Sequence, residues 1–318
     1  IMQSILDVPN LLLIGGPKCG TTSLLTWLRK HPEIYHPWEK IPISASESGF
    51  LLGGVSDLPF SPTKPKGTLI LPNEINMDRY KQESWIIDKS PQHLYSTKAL
   101  NSVANLLPKA KVIITLRDPY DLFISWHGEM NKSINYDVSL EELLAKIEEK
   151  SWQVNTNDSD TWSYLTYPQY SNFVKLWIDE LGEDRVRIIT LSNISKNPAF
   201  VLQSLSKWLD IDSEKMPNDF TIKNVSGILS TNPLRKILRN PPKIFFLLAR
   251  IFLPSRALRK ILIDPIRRLG WKHIPSPKST ISKEIETRVR MKLSKDIEFF
   301  ENLQDYVPPK VLINYDLS

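Results

Sequence analysis

The chain has 318 residues, 41% of them apolar and nine of them Trp, which excludes a protein too polar to bury a core and fits one large or two modest globular domains. Its single cysteine, Cys19, excludes an intrachain disulfide and favours a reducing, cytoplasmic compartment, with a secretory lumen the alternative if a leader or anchor has been removed. The net charge of +6 is regional: residues 233–271 hold ten Lys/Arg against one acid, Asp264, giving +9 there and −3 elsewhere.

In chain order, the first apolar run is "LLLIG" (11–15), followed by "GPKCGTTSL" and a helical pattern over 21–30. Residues 41–73, rich in Pro, Ser and Gly, read as a long loop. Further apolar runs at "SWIID" (84–88), "KVIITLR" (111–117) and "RVRIITL" (185–191) predict core strands of a parallel sheet. Helices are predicted over 95–106, 119–131, 139–150, 168–181, 197–209 and 281–304. Strands alternating with helices imply an α/β fold, a three-layer, P-loop-like arrangement with helices on both faces of a central parallel sheet. One domain spans 1–318, with the Pro-punctuated basic segment 233–275 as a helical lid or insertion within it. Its most apolar part, "IFFLLARIFL" (244–253), is broken by Arg250 and falls short of the ~20 residues needed to span a bilayer. Four N-x-[ST] patterns, at Asn131, Asn157, Asn193 and Asn224, would be acceptors in a secretory lumen but are short enough to occur by chance.

The stretch from 11 to 32 has the build of a phosphate-binding loop, a buried strand passing through glycines into a helix. Gly15, Gly16 and Gly20 let backbone N–H groups approach an anion, and Thr21, Thr22 and Ser23 open the helix with further donors. The nucleotide-hydrolysing motif G-x-x-x-x-G-K-[ST] would put its lysine at 21, where Thr21 stands; the lysine is inside the loop, at Lys18, aimed at a group leaving or being transferred. A second phosphate candidate is "KVIITLRDPYDLFISWHGEM". A strand ends at Arg117, Asp118 caps the next helix, Pro119 suits its first turn, and Arg117 and Ser125 could converge on one phosphate. Arg117 could instead pair with Asp118 or Asp121. The five His and one Cys are scattered and suggest no metal cluster.

These motifs resemble those of the sulfotransferases that use 3′-phosphoadenosine 5′-phosphosulfate (PAPS), in particular the branch of the heparan sulfate sulfotransferases and their bacterial relatives. "GGPKCGTTSL" is similar to the family's loop for the 5′-phosphosulfate, which makes Gly16, Pro17, Lys18, Cys19, Gly20, Thr21, Thr22 and Ser23 donor-binding, and "LRDPYDLFISW" is similar to its 3′-phosphate site, carried by Arg117 and Ser125. The likeness continues through "IIDKSPQHLY" (86–95), residues 170–211 and the closing "INYDLS". It implies transfer of a sulfuryl group to a hydroxyl, or an amine, of a carbohydrate or small molecule. The adenosine bisphosphate PAP is the product, no metal is required, and Lys18 neutralises charge on the leaving 5′-phosphate.

A general base must take the acceptor's proton. In the heparan sulfate branch it is a glutamate in a K-E-x-x-F-F pattern, from which this chain departs, since Lys40 is followed by Ile41. Glu47, three residues before Phe50, is the expected base, with Glu39 and then His93 behind it. The resemblance also gives Lys89 in "DKSP" a contact to acceptor or sulfate, unless it is a strand-end surface lysine, and aligns Tyr170 with a cleft-lining residue. The basic stretch 233–271 could read an anionic acceptor or lie on an acidic membrane surface. No nucleic-acid partner is expected. Other readings are a P-loop kinase or NTPase, with Asp88 at the end of "WIID" as its magnesium-holding acid, and a non-catalytic nucleotide or glycan binder.

Overall fold

The computed structural model describes residues 8–37, 51, 77–131, 138–149, 159–220 and 281–314. The expected loop over 41–73 (apart from Leu51), Glu39, Glu47 and the basic segment 233–275 lie outside the described residues. Five strands, β1 (Leu11–Gly15), β2 (Ile34–Tyr35), β3 (Trp85–Lys89), β4 (Lys111–Leu116) and β5 (Val186–Thr190), form one parallel sheet in the order β2-β3-β1-β4-β5. The four predicted strands are all present; β2, two residues long at the sheet edge, is too short to leave a periodic signal.

Side chains alternate across the pleat and bury both faces, as a parallel sheet requires. Leu12, Ile14, Val112, Ile114 and Leu116 pack on one side with α2 (Thr97–Leu106), α3 (Pro119–Met130), α4 (Leu140–Glu149), α5 (Ser159–Thr166) and α6 (Ser171–Leu181). Leu11, Leu13, Ile113 and Ile189 pack on the other with α1 (Thr21–Leu28), α7 (Leu191–Lys196) and α8 (Pro198–Leu209). The predicted helix over 281–304 is divided into α9 (Lys283–Lys292), α10 (Ser294–Glu301) and α11 (Leu303–Tyr306). The interruptions at Leu293 and Asn302 re-aim the helix so that Val289, Leu293, Phe299 and Leu303 all reach the core. The Asn302 side chain donates to the Glu298 carbonyl at 3.1 Å, a local bond that competes with continued helix.

Among the described residues, no helix is long and apolar enough to cross a membrane. The strand order fixes where a ligand can sit. From β1 the chain moves to one side to build β2 and β3, then crosses to the other for β4 and β5. The loops after β1 and β4 therefore diverge from neighbouring strands, which opens a crevice at their carboxyl ends.

Candidate active site

Both predicted phosphate loops leave that crevice. Gly15 pairs with Thr115 across β1 and β4, and the Gly16 N–H donates to the Thr115 carbonyl at 3.2 Å. Gly15 has φ +142°, and a Cβ there would lie 2.2 Å from the Thr115 carbonyl oxygen, so only glycine lets the strands close at this point. The loop then curls through two left-handed residues, Lys18 (φ 65°) and Gly20 (φ 90°). Left-handed residues alternating with right-handed ones turn successive N–H groups toward one point, the geometry of an anion nest. No side chain caps the start of α1, so its first N–H groups are left to a ligand. Of the three hydroxyl residues opening α1, Thr21 and Ser23 are buried and Thr22 is half-buried.

Lys18 extends from the loop to α3, where its ammonium meets the Glu129 carboxylate at 2.8 Å. Pro17 is half-buried beside it. Cys19, expected in the donor site, turns its thiol the other way, into the core, so only its backbone can face a ligand. Burial pushes the thiol up to about 12, against the opposing pull of the Arg117 and Lys18 charges.

The second loop behaves as its sequence predicts. Asp118 accepts the Asp121 N–H at 2.8 Å and Pro119 occupies the first turn of α3. Arg117 approaches Asp121 only to 3.9 Å, a distant contact that leaves its fork available for bidentate binding. Ser125 Oγ is buried and, among the described residues, meets no hydrogen-bond partner. A buried hydroxyl is ordinarily bonded, so an orphan two turns into the helix that follows Arg117 fits an anion. Tyr170 does not line the cleft; it is fully buried, and its hydroxyl donates to the Arg117 carbonyl at 2.7 Å, which holds the end of β4.

Lys89 ends β3 opposite Leu13 and is 1% exposed, which removes the surface-lysine reading. Burial above all, then the charges of Arg29 and Lys89, lowers the nearby His36 to about 3. His93 is 1% exposed with Nδ1 3.7 Å from Asp88 Oδ2. His93, the third candidate base, is thus enclosed at the end of β3. Asp88 is fully buried beside it. Sequence reasoning passed over Glu129 altogether. Its signal was present, since Asp121, Ser125 and Glu129 recur every four residues on a helix whose start was already read.

A family model described as "Sulfotransferase domain" matches residues 8–236. Bifunctional heparan sulfate N-deacetylase/N-sulfotransferase 1 of Caenorhabditis briggsae is 27% identical over 213 residues, 64% of this chain and 23% of that protein. The type 3 enzyme of Mus musculus is 25% identical over 213 residues, again 64% of this chain but 22% of its own length. The chain thus spans less than a quarter of these relatives. Among solved structures, a sulfotransferase from Alicyclobacillus acidocaldarius superposes with a TM-score of 0.56 at 22% identity, over 81% of this chain and 96% of that one, a likeness of fold.

Proposed function

The chain belongs to the sulfotransferase domain family, and from that premise we propose that it transfers the sulfuryl group of PAPS to a hydroxyl of a carbohydrate acceptor. One observation carries the choice of donor. Two phosphate-binding loops, one bearing Lys18 and the other Arg117 with the orphan Ser125 hydroxyl, leave neighbouring strands at one switch point. A nucleotide with phosphates at both 3′ and 5′ positions fits that pair of loops; a nucleotide with a single phosphate chain would leave the second loop unused.

PAPS supplies an activated sulfuryl group whose departure leaves a phosphate anion. On this reading the N–H groups of the first loop and of α1 hold the 5′ end, and Lys18 neutralises the charge that grows on the leaving oxygen. Arg117 and Ser125 hold the 3′-phosphate, which sets the register of the nucleotide. Lys89 ends β3 beside β1, the strand that leads into the first loop, and on this reading contacts the acceptor or the transferred sulfuryl group.

A carbohydrate acceptor is supported by the relatives, whose names assign them heparan sulfate. Those names also specify sulfation at nitrogen, which favours an amine as the second acceptor class. The +9 charge of residues 233–271 supports an acceptor that is itself anionic.

Calorimetric titration without metal, using PAP, ADP, and ATP with magnesium in separate experiments, tests the donor site. Preferred binding of PAP, weakened at least about tenfold by Arg117→Ala, is expected for loss of a charge-assisted phosphate contact. Preference for ATP with magnesium would overturn the two-loop reading. Sulfuryl transfer to unsulfated, N-acetylated and free-amine oligosaccharides then separates the acceptor classes.

A further inference from the structure

We propose that Glu129 is a counter-ion built into the donor site, which competes with the nucleotide's 5′ end for Lys18 and so limits how tightly the product PAP is held; this rests on the donor site described under Proposed function. An ion pair between the first loop and α3 carries it. Lys18 Nζ donates to Glu129 Oε2 at 2.8 Å. The ammonium assigned to the leaving phosphate thus has a carboxylate of the chain itself within hydrogen-bond distance, and two anions contest one cation.

Asp121, Ser125 and Glu129 fall four residues apart on α3 and share one ridge of the helix. The two carboxylates on that ridge each face a cation of the donor site, with the orphan Ser125 hydroxyl between them. The pairs are unequal. Asp121 Oδ2 stands 3.9 Å from Arg117 Nη2, beyond hydrogen-bond reach, whereas the Glu129 contact is a full charge-assisted hydrogen bond. A 3′-phosphate therefore meets a lightly held arginine, and a 5′-phosphate meets a lysine it must win. The Glu129 side chain is 38% exposed against 17% for Lys18, so a displaced carboxylate turns to water while the ammonium stays in the site.

The reaction changes what the lysine is offered. In PAPS the 5′-phosphate carries one negative charge and the sulfuryl group another. Transfer breaks the sulfur–oxygen bond and leaves its electron pair on the phosphate, which then carries two charges, while the acceptor gives up its proton on the far side of the sulfur. The monoanion of the donor draws weakly on Lys18 and can leave the pair with Glu129 in place. The dianion of the product draws the ammonium away, so the cost of breaking the pair falls on PAP and favours its release. Glu129 acts through Lys18 and is not a catalytic residue.

A second role for the pair predicts the opposite sign. Lys18 has φ 65°, a left-handed conformation that costs energy for any residue with a Cβ, and an ion pair that merely braced the loop would support nucleotide binding. Bracing makes loss of Glu129 weaken PAP binding, and competition makes it strengthen.

Calorimetric titration with PAP and, without acceptor, with PAPS reads that sign. Glu129→Gln keeps the shape of the side chain and drops its charge. It is expected to bind PAP about 5- to 30-fold more tightly than the wild type, the span between an exposed ion pair and a charge-assisted hydrogen bond. PAPS affinity should gain by a smaller factor, and inhibition of turnover by added PAP should strengthen. In a Lys18→Ala background, where Arg117 and Ser125 still hold PAP, the same substitution should change its affinity by less than about twofold, because the contested cation is gone. Unchanged PAP affinity in Glu129→Gln would overturn the proposal, and weaker binding would overturn it in favour of the brace. An equal gain for PAP and PAPS would also count against it, since the product would not be singled out. A gain of full size in the Lys18→Ala background would reduce Glu129 to a general surface charge and overturn it too. A wild-type chain that binds no PAP would instead bring down the donor site on which the proposal stands.

Discussion

The hydroxyl of Tyr170, at the start of α6, donates a 2.7 Å hydrogen bond to the carbonyl of Arg117, at the end of β4. Residues 53 positions apart are thereby joined at the point where the second candidate phosphate loop begins. Burial raises the Tyr170 hydroxyl well above its ordinary value of 10, so it remains a donor at any pH the fold survives. Tyr170→Phe removes the donor from the part-buried Arg117 carbonyl and is expected to cost about 1 kcal/mol of stability in urea unfolding. PAP affinity should fall with it, because Arg117 loses the anchor of its backbone. Unchanged stability and affinity would show that the bond carries neither load.

Two glycines make a matched pair for the packing argument. Gly15→Ala would set a Cβ 2.2 Å from the Thr115 carbonyl at φ +142°, and a destabilisation of about 3 kcal/mol or more is expected. Gly128 lies within α3 with nothing within 4 Å of its would-be Cβ. Gly128→Ala should therefore stabilise by about 0.5–1 kcal/mol, through helix propensity alone. Thermal unfolding of the two variants side by side checks both signs.

Removing the cap of α3 tests whether the helix positions the second loop. Asp118→Ala gives up the bond to the Asp121 N–H and should cost about 1 kcal/mol. Asp118→Asn, which caps equally well, should recover it. If the cap also sets where Ser125 sits, PAP binding will weaken in the alanine variant and recover in the asparagine one.

One buried imidazole, His36, and one half-buried one, His127, contribute to the acid side of the stability profile. Burial lowers His127 from 6.5 to about 4, while burial and nearby cations lower His36 to about 3. Below pH 6.5 the unfolded chain takes up protons that the folded rings refuse, so stability present above the unfolded value is lost as pH falls. The loss should run down to about pH 4 for His127 and about pH 3 for His36, at no more than about 1.4 kcal/mol per pH unit for each ring. The His127 ring meets the Tyr164 hydroxyl at 3.1 Å and the Asn131 amide at 3.1 Å. His127→Gln, which keeps polar atoms at the site without a titrating ring, should flatten that part of a urea-midpoint series between pH 4 and 6.5.

Cys19 offers a probe of the first loop. With its thiol buried and held near a pKa of about 12, native protein should react with a disulfide reagent at pH 8 only on the timescale of unfolding. Fast labelling would show that the loop opens far enough to bring the thiol out of the core.

The elements that the sequence missed were those whose causes are distant. α6 starts at Ser171, not 168, because its first N–H is met by the buried Asp296 carboxylate at 2.8 Å, 125 residues away. The break at Leu293 serves packing against helices read separately. α7 is a different case, since Thr190 and Asn193 form a capping box readable locally, and the apolar run before it absorbed the signal into a strand.

By itself, the sequence determined the α/β class, four of the five strands, and the two loops after β1 and β4 on which Lys18, Arg117 and Ser125 were singled out. Those follow from short-range chemistry: apolar periodicity, glycine spacing, and a cap one turn from its helix. The tertiary structure alone decided that Cys19 faces the core, that Tyr170 braces Arg117, that Lys89 and His93 are enclosed, and that Glu129 meets Lys18 across 111 positions. Each of these depends on which strands are neighbours and which helix face turns inward, relations set by packing the whole sheet and carried by no local stretch of chain.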